Sequence, residues 1–323
     1  MDGKIGLEEH FGISDTLDGA RGFAGEANWS GLRERLLDFH DRRLAEMDRY
    51  GIEKMILSLN APAIQRIDDT RKAIEVARRA NDLLAEQVAR RRDRFEGFAA
   101  LPMQDPEEAA KELQRCVKDY RFKGAMVNGY SQLGNPENCV YYDLRQYWDF
   151  WGVVEQLDVP FYLHPREPSQ RRAYEGHPWL IGPAYGFAAE TGLHALRLLG
   201  SGLFDKYPKL TLILGHLGEA LPFNLHRIDQ RIAWSPMGYP AKKQISVCFQ
   251  ENVYITTAGN FRTQTLIDCI LEISADRILF STDYPFEEIR EAAQWFDSAS
   301  ISEADRLKIG RLNAVKLFKM KSE

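Results

Sequence analysis

Four strand-like segments of the chain end in side chains that can bind a metal ion. They are residues 5–10, 159–164, 210–216 and 278–283, which carry Glu8 with His10, His164, His216 and Asp283 at or near their ends. A carboxylate or an imidazole at the end of a buried strand is poorly solvated, so folding does not place it there without a partner. Because the carboxyl ends of parallel strands meet at one mouth of a barrel, we expect these side chains to converge there.

The types of these residues suit a mononuclear metal centre. Glu8 and His10 lie two residues apart on a strand, so both face the barrel axis provided that Leu7 and Glu9 point outward. With His164 and Asp283 they offer two carboxylates and two imidazoles, a set that suits one Zn²⁺ or Mn²⁺ ion with positions open for a substrate. Two carboxylates also balance the charge of the ion, so the site still accepts an anionic, chelating substrate.

His216 and Glu219 form a second candidate group. His216 ends a strand and Glu219 follows a glycine-containing turn, so the carboxylate is placed to orient the imidazole. A metal ligand, a proton relay and an anion-binding pair all remain open as roles for this group.

The elements that must position these residues alternate between strand-like and helix-like patterns. Eight consecutive βα units predict an α/β fold with a single (β/α)8 TIM barrel, read as one domain over residues 1–323. A doubly wound open sheet is the alternative, but it normally has a glycine-rich phosphate turn after the first strand, and Glu8-Glu9-His10-Phe11 is not one.

Three segments lead to more specific predictions. Residues 32–50 are predicted to form one amphipathic helix with Leu36, Leu37, Leu44 and Met47 on one face. Residues 143–157 form a predicted helix with an unusual number of aromatic side chains, which indicates either a subunit contact or ordinary packing within the chain. The long loop of residues 12–31 is expected to serve the site.

Composition excludes several classes of function. The net charge is −5 and the basic residues are dispersed, which argues against a nucleic-acid partner. No apolar run reaches the roughly 20 residues that a membrane span needs. Cys116, Cys139, Cys248 and Cys269 form no CxxC pair, so we expect reduced, mostly buried thiols. With no leader-like start, the chain is predicted to be cytoplasmic.

The motifs at these strand ends resemble a known family. They are EEH at residues 8–10, YLHPR at 162–166, GHLGE at 215–219 and FSTDYPF at 280–286. Together they resemble the amidohydrolase superfamily and, within it, the nonoxidative decarboxylases of aromatic acids. The stretches LSLNAPA at 57–63 and GNFRTQT at 259–265 add a resemblance to the γ-resorcylate (2,6-dihydroxybenzoate) decarboxylases.

This resemblance implies a function and a set of residues. The implied reaction is the reversible, metal-dependent conversion of 2,6-dihydroxybenzoate to resorcinol and CO₂, without an organic cofactor, in a homotetramer. The implied metal ligands are Glu8, His10, His164 and Asp283, the implied catalytic residues are Asp283, His216 and Glu219, and the implied substrate contacts are Phe23, Asn128, Phe187 and Arg227.

Differences between this chain and other members of the superfamily narrow the predicted function. Hydrolytic members usually carry His-x-His on the first strand, and binuclear members bridge two ions with a lysine or glutamate where this chain has Asn128. We therefore expect one ion. His10 favours 2,6-dihydroxybenzoate, whereas residues 170–176 depart in length and sequence from what the resemblance leads us to expect, which leaves the fine substrate preference open.

Other functions remain open at this point. A 2,3-dihydroxybenzoate or salicylate decarboxylase fits the same residues. A hydrolase of an ester, lactone or amide would use metal-bound water, whose pKa falls to about 7. A barrel that binds aromatic acids without converting them is the third alternative.

Overall fold

The computed structural model describes residues 1–320, except for the side chain of Phe23. Helices and strands alternate along this part of the chain. The eight strands of the barrel are Lys4–Phe11, Ile52–Leu59, Phe95–Gly97, Ala125–Asn128, Phe161–His164, Leu212–Leu214, Val253–Thr256 and Ile278–Leu279. A short antiparallel hairpin, Ser131–Gln132 with Cys139–Val140, follows the fourth strand.

The strands pair in parallel and in the order of the chain. The first three form one sheet and the fourth to the eighth form another, with a parallel bridge between Ala99 and Ala125 joining the two. The seam between the eighth and first strands is joined by hydrogen bonds from the Glu8 N–H to Ser281 Oγ (2.5 Å) and from the His10 N–H to the Tyr284 carbonyl (2.6 Å). This arrangement confirms the predicted (β/α)8 barrel. The interpretation as one domain over residues 1–323 stays a prediction, and residues 321–323 lie outside the described part.

The helices surround the strands. Those of eight residues or more are Glu26–Leu37, Arg42–Arg49, Thr70–Arg90, Pro106–Arg115, Trp148–Leu157, Gly186–Gly200, Leu225–Trp234, Ile245–Asn252, Thr263–Ile273 and Ile289–Ser298. Shorter ones are Arg21–Ala24, Leu203–Lys206, His216–Glu219, Glu303–Leu307 and Asn313–Leu317. Asp105 caps its helix by accepting hydrogen bonds from the Glu107 and Glu108 N–H groups, as its sequence predicts.

The core has two layers, as expected for a barrel. Side chains inside the barrel form one cluster: Ile5, Leu7, Ile56, Phe98, Met126, Tyr162, Ile213, Tyr254 and Leu279, with Phe318 against them. A larger apolar cluster lies between the strands and the helices. Because apolar side chains fill the middle of the barrel, the polar groups at the strand ends face its mouth.

The single helix predicted for residues 32–50 is wrong. The structure has two helices, because Asp38 is extended and its carboxylate accepts hydrogen bonds from the Asp41 and Arg43 N–H groups. These bonds start the second helix at a new angle. Leu37, expected on the buried face, is therefore 40% exposed.

The aromatic helix packs within the chain. Tyr142, Tyr147, Trp148, Phe150 and Trp151 are all buried in the isolated chain. Phe161 receives the edge of Trp151 at a centroid distance of 4.8 Å. The structure therefore supports packing, rather than a subunit contact, as the reason for these aromatic residues.

The structure also bears on the predicted free cysteines and on the predicted lack of a membrane span. Within residues 1–320 none of the four cysteines forms a disulfide, and three of the four are buried. Over the same residues, every helix is too short or too polar to cross a bilayer.

Candidate metal centre and substrate pocket

A β-bulge aims the ligands of the first strand. Gly6 pairs with Met55 and Glu9 pairs with Leu57, so the first strand has one extra residue between these pairs. The N–H groups of Leu7 and Glu8 accordingly both point at Ser281 Oγ. The expectation that Leu7 points outward is therefore wrong, since Leu7 packs inside the barrel. The bulge lets Glu8 face the axis as well, as bulges beside active sites often do.

The structure brings together the four residues predicted as metal ligands. One ligand atom from each of Glu8, His10, His164 and Asp283 lies within 4.8 Å of the others. Glu8 Oε1 lies 3.0 Å from His164 Nε2, and His10 Nε2 lies 3.1 Å from Asp283 Oδ1. Each side chain comes from the mouth end of a different strand except Glu8 and His10, which share the first strand.

The chemistry of this cluster fits a divalent cation. Glu8 Oε1 is buried without a hydrogen-bond partner among the described residues, a costly arrangement for a carboxylate oxygen. His10 Nδ1 lies 3.2 Å from Ser58 Oγ, an outer contact that leaves Nε2 for the cluster. Burial lowers the pKa of His10, which favours the neutral imidazole that binds a metal.

His216 and Glu219 form the predicted pair beside this cluster. His216 Nδ1 lies 2.7 Å from Glu219 Oε1, and His216 Nε2 lies 3.7 Å from Asp283 Oδ2 and 3.8 Å from Glu8 Oε1. A tight turn with positive φ at His216, Leu217 and Glu219 makes this approach possible. Burial alone would lower the pKa of His216, but the carboxylates of Glu219 and Glu8 outweigh it and raise the pKa well above its usual value.

The acids of the cluster are ionised by their neighbours. Burial alone would raise the pKa of Asp283, but the hydrogen bond with His10 and the imidazole of His216, 3.7 Å away, outweigh it, and the net direction is downward. The pKa of Glu8 is also lowered, because His216 and His164 outweigh its burial. Before any substrate or ion binds, the proton of this group of residues therefore rests on imidazole rather than on carboxylate.

Two adjoining cavities open onto the cluster. One, of about 320 Å³, is lined by His164, Phe187, His216, Asp283 and Phe286, with others. The second, of about 440 Å³, shares Pro183, Phe187, His216, Asp283 and Glu287 with the first. The first cavity has aromatic walls and one ionisable side, which suits a flat, anionic, aromatic molecule.

Comparisons with known proteins agree with this geometry. A family profile described as "Amidohydrolase" matches residues 24–320. The chain belongs to the amidohydrolase family.

Close relatives of this amidohydrolase are decarboxylases. It is 62% identical to a γ-resorcylate decarboxylase from Rhizobium sp. (strain MTP-10005), over 99% of both chains. A solved structure of 2,6-dihydroxybenzoate decarboxylase complexed with 2,6-dihydroxybenzoate superimposes with a TM-score of 0.97 at 62% identity, covering 99% of this chain and 100% of that one. A dihydroxybenzoic acid decarboxylase from Polaromonas sp. JS666, with bound manganese and the inhibitor 2-nitroresorcinol, gives 0.98 at 61% identity, covering 100% and 98%. The resemblance inferred from the motifs is confirmed.

The residues expected to contact substrate have different positions in the amidohydrolase. Phe187 lines both cavities. Asn128 is buried, pairs in register with His164, and has an Oδ1 atom with no hydrogen-bond partner in residues 1–320. The side chain of Phe23 lies outside the described part of the structure.

Arg227 is not brought to the site within one chain. It lies on the helix Leu225–Trp234 with its side chain exposed, and the two cavity linings in the described residues do not include it. Leu225 faces the core, and two residues further along a helix the side chain points to nearly the opposite side. Within residues 1–320 of one chain Arg227 lines neither cavity, and its expected contact with substrate oxygens stays a prediction.

Three residues of the pocket were missed by the sequence reasoning. The ring of Phe286 meets His10 edge-on at 5.5 Å, and its place directly after Asp283-Tyr284-Pro285 was a usable signal. Arg35 reaches the first cavity from the helix Glu26–Leu37 and pairs with Glu288, and no motif marks it. Burial and the neighbouring Asp283 raise the pKa of Glu287, between the two cavities, to about 7.

Proposed function

We propose that this amidohydrolase is a metal-dependent nonoxidative decarboxylase that converts 2,6-dihydroxybenzoate to resorcinol and CO₂, and that the reaction is reversible. The observation that carries the proposal is the buried group of two carboxylates and two imidazoles opening into an aromatic-walled cavity. The activities and ligands of its close relatives support the same substrate.

The four strand-end residues hold one divalent ion in this proposal. Glu8, His10, His164 and Asp283 would bind Zn²⁺ or Mn²⁺, and manganese is present in the Polaromonas relative. Bound there, the ion would act as a Lewis acid toward the oxygen atoms of an anionic substrate. The reaction needs no organic cofactor in this proposal, because the electron pair of the broken bond stays with the ring when CO₂ leaves.

The chain's own residues orient the ring. In this proposal Phe187 would face the ring, as the resemblance also implies for Phe23, and Asn128 would offer its unpartnered Oδ1 atom to a substrate hydroxyl. Phe286, which was not expected, provides a further apolar wall. Such walls exclude water and hold the reacting carbon in place, which lowers the entropic part of the barrier.

Proton transfer to the ring is assigned to Asp283, His216 and Glu219. Protonation of the carboxyl-bearing ring carbon allows the bond to the carboxyl carbon to break, and its electron pair restores the aromatic ring as CO₂ leaves. His216 is the group that holds a proton in the free enzyme, and Glu219 fixes its Nδ1. Asp283 Oδ2, 3.7 Å from His216 Nε2, then receives this proton and delivers it to the ring.

Finer statements form part of the same proposal. The enzyme works as a cytoplasmic homotetramer, without a nucleic-acid or membrane partner. Unpaired cysteines are consistent with a reducing compartment.

Release of CO₂ from purified, Mn²⁺-loaded protein tests the proposal. We expect CO₂ and resorcinol in equal amounts from 2,6-dihydroxybenzoate, and less from 2,3-dihydroxybenzoate and salicylate. Hydrolysis of aryl esters or lactones without any decarboxylation would favour a hydrolase instead. Tight binding of the acid with no turnover would indicate a binding protein.

A further inference from the structure

A buried tyrosine lies directly beneath the candidate metal centre. Tyr162 is two residues before His164 on the fifth strand, so both side chains face the barrel axis. It is 0% exposed, and its hydroxyl donates a hydrogen bond to Glu8 Oε2.

The hydrogen bonds around Tyr162 have a defined direction. Its only hydroxyl proton goes to Glu8, so the Thr256 hydroxyl, at 2.9 Å, donates to the phenol oxygen. Thr256 Oγ1 in turn accepts from the Ala258 N–H at 3.4 Å. The result is a short chain of donors, from backbone to threonine to tyrosine, that ends on one oxygen of Glu8.

Close packing keeps this arrangement in place. A Cβ atom at Gly215 would lie 2.7 Å from Glu8 Oε2 and 3.2 Å from the Tyr162 hydroxyl, so only glycine fits beside them. Glu8 and Thr256 are also fully buried. The carboxylate has no room to turn while the tyrosine hydroxyl is present.

The two oxygens of Glu8 are thereby given different surroundings. Oε2 is bonded to Tyr162, whereas Oε1 lies 3.0 Å from His164 Nε2 and has no hydrogen bond within residues 1–320. We propose that Tyr162 is a positioning residue that occupies Glu8 Oε2, so that Glu8 presents Oε1 alone to the metal ion. Positions on the ion that a bidentate Glu8 would fill then stay open for the two oxygens of a chelating substrate. This inference rests on the metal centre of the proposed function.

The variant Tyr162→Phe removes only the hydroxyl, and metal binding is measured directly. We expect calorimetric titration of the chelator-treated protein with Mn²⁺ to show a Kd raised by roughly 10- to 100-fold, the range typical of lost outer partners of a metal ligand. At saturating Mn²⁺, the KM for 2,6-dihydroxybenzoate should rise more than kcat falls, because the freed Oε2 competes with the substrate.

Tyr147→Phe is the matched control. Tyr147 is also 0% exposed, and its hydroxyl donates a 2.8 Å hydrogen bond to the Met103 carbonyl, away from the metal ligands. Tyr162→Phe loses two buried hydrogen bonds and Tyr147→Phe loses one, so both variants should lose thermal stability, but Tyr147→Phe should bind Mn²⁺ like the wild type. A wild-type Kd in Tyr162→Phe, or an equal rise in both variants, would overturn the positioning role.

A second variant covers the case in which Tyr162→Phe does not fold. Thr256→Val keeps the bond between Tyr162 and Glu8 but removes the donor behind it, and we expect a Kd rise of less than about 10-fold. An unchanged Kd in that variant would then count against the role. Wild-type protein that binds no divalent ion at all would contradict the proposed function itself, which separates the two failures.

Discussion

Glu8 and Glu9 are neighbours at the end of the same strand, and the structure uses them in opposite ways. Both side chains are 0% exposed. Glu8 faces the inside of the barrel, where His164 and Tyr162 contact its two oxygens. Glu9 faces the seam with the eighth strand, where its oxygens accept hydrogen bonds from the Thr282 N–H at 2.9 Å and the Thr282 hydroxyl at 2.5 Å.

The difference shows that neighbours, and not depth alone, decide the state of a buried acid. The histidines around Glu8 outweigh its burial and lower its pKa. The donors around Glu9 are neutral, so burial dominates and raises its pKa to about 8. The inner acid is thus prepared for a cation, and the outer acid joins the first strand to the segment that carries Asp283.

The largest effect is expected from Glu8→Gln. An amide keeps the size of the side chain but removes the charge and one acceptor, so the cluster should lose its divalent ion. Elemental analysis should fall from about one metal per chain to a small fraction, with no measurable CO₂ release. Glu9→Gln, in the same strand, should keep the metal. Equal metal loss in both variants would end the distinction between an inner and an outer acid.

Asp283→Asn should separate metal binding from proton transfer. The amide oxygen can still face the ion, but it supplies no proton to the ring carbon. We expect the variant to bind 2,6-dihydroxybenzoate and to lose at least about 100-fold in kcat, the lower range for removal of a general acid. A metal-loaded variant with substantial turnover would move the role of the acid to His216.

Glu219→Gln should have a smaller effect. Glu219 holds His216 Nδ1 at 2.7 Å, so its loss should lower turnover by roughly 10- to 100-fold and leave the metal content unchanged. Because the carboxylate raises the pKa of His216, its loss should lower that pKa, and kcat should fall at a lower pH on the alkaline side of its pH profile. Turnover equal to that of the wild type would make the pair structural, and loss of the metal would make His216 a ligand.

Much of the fold could be predicted from local patterns. Strand and helix signals alternate clearly, and right-handed crossovers then leave few topologies. The break at Asp38 could not be predicted in this way, because the apolar spacing continues from Leu36 to Leu44 while the cap that interrupts it depends on one side chain. The aromatic helix was ambiguous for a similar reason, since composition does not say which surface covers Trp151.

In the site, too, local patterns could be predicted from the sequence, whereas features that depend on distant contacts could not. The sequence was enough to predict that four residues lie close together, because strand ends converge in a barrel. They are Glu8, His10, His164 and Asp283. The bulge at Leu7 could not be predicted, since it arises where Ser281, two residues after the distant eighth strand, accepts hydrogen bonds from two successive N–H groups. The hydrogen bonds of Glu9 across the seam between the first and eighth strands could not be predicted for the same reason. Arg227 was placed by resemblance alone, and the helix turns it away from its own chain's pocket.

The smallest effect on activity is expected from Glu9→Gln, which should show itself in stability against pH. The folded chain holds the Glu9 proton up to a pKa of about 8, whereas the unfolded chain releases it near 4.5. The stabilisation is therefore complete below pH 4.5 and is lost as pH rises through about 8, by on the order of 5 kcal/mol at roughly 1.4 kcal/mol per pKa unit. Glutamine mimics the neutral acid and does not titrate.

Urea unfolding of metal-free protein at several pH values between 5 and 9 measures this directly, because the charge of a bound ion would otherwise act on Glu9. The wild type should lose stability as pH rises, and Glu9→Gln should lose less over the same range. Glu34→Gln, on the exposed face of its helix, should follow the wild type. If the wild type and Glu9→Gln lose stability in parallel, Glu9 is ionised in the folded chain. Arg43, fully buried nearby, would then be the cation that compensates it, and the two acids would differ in position but not in charge.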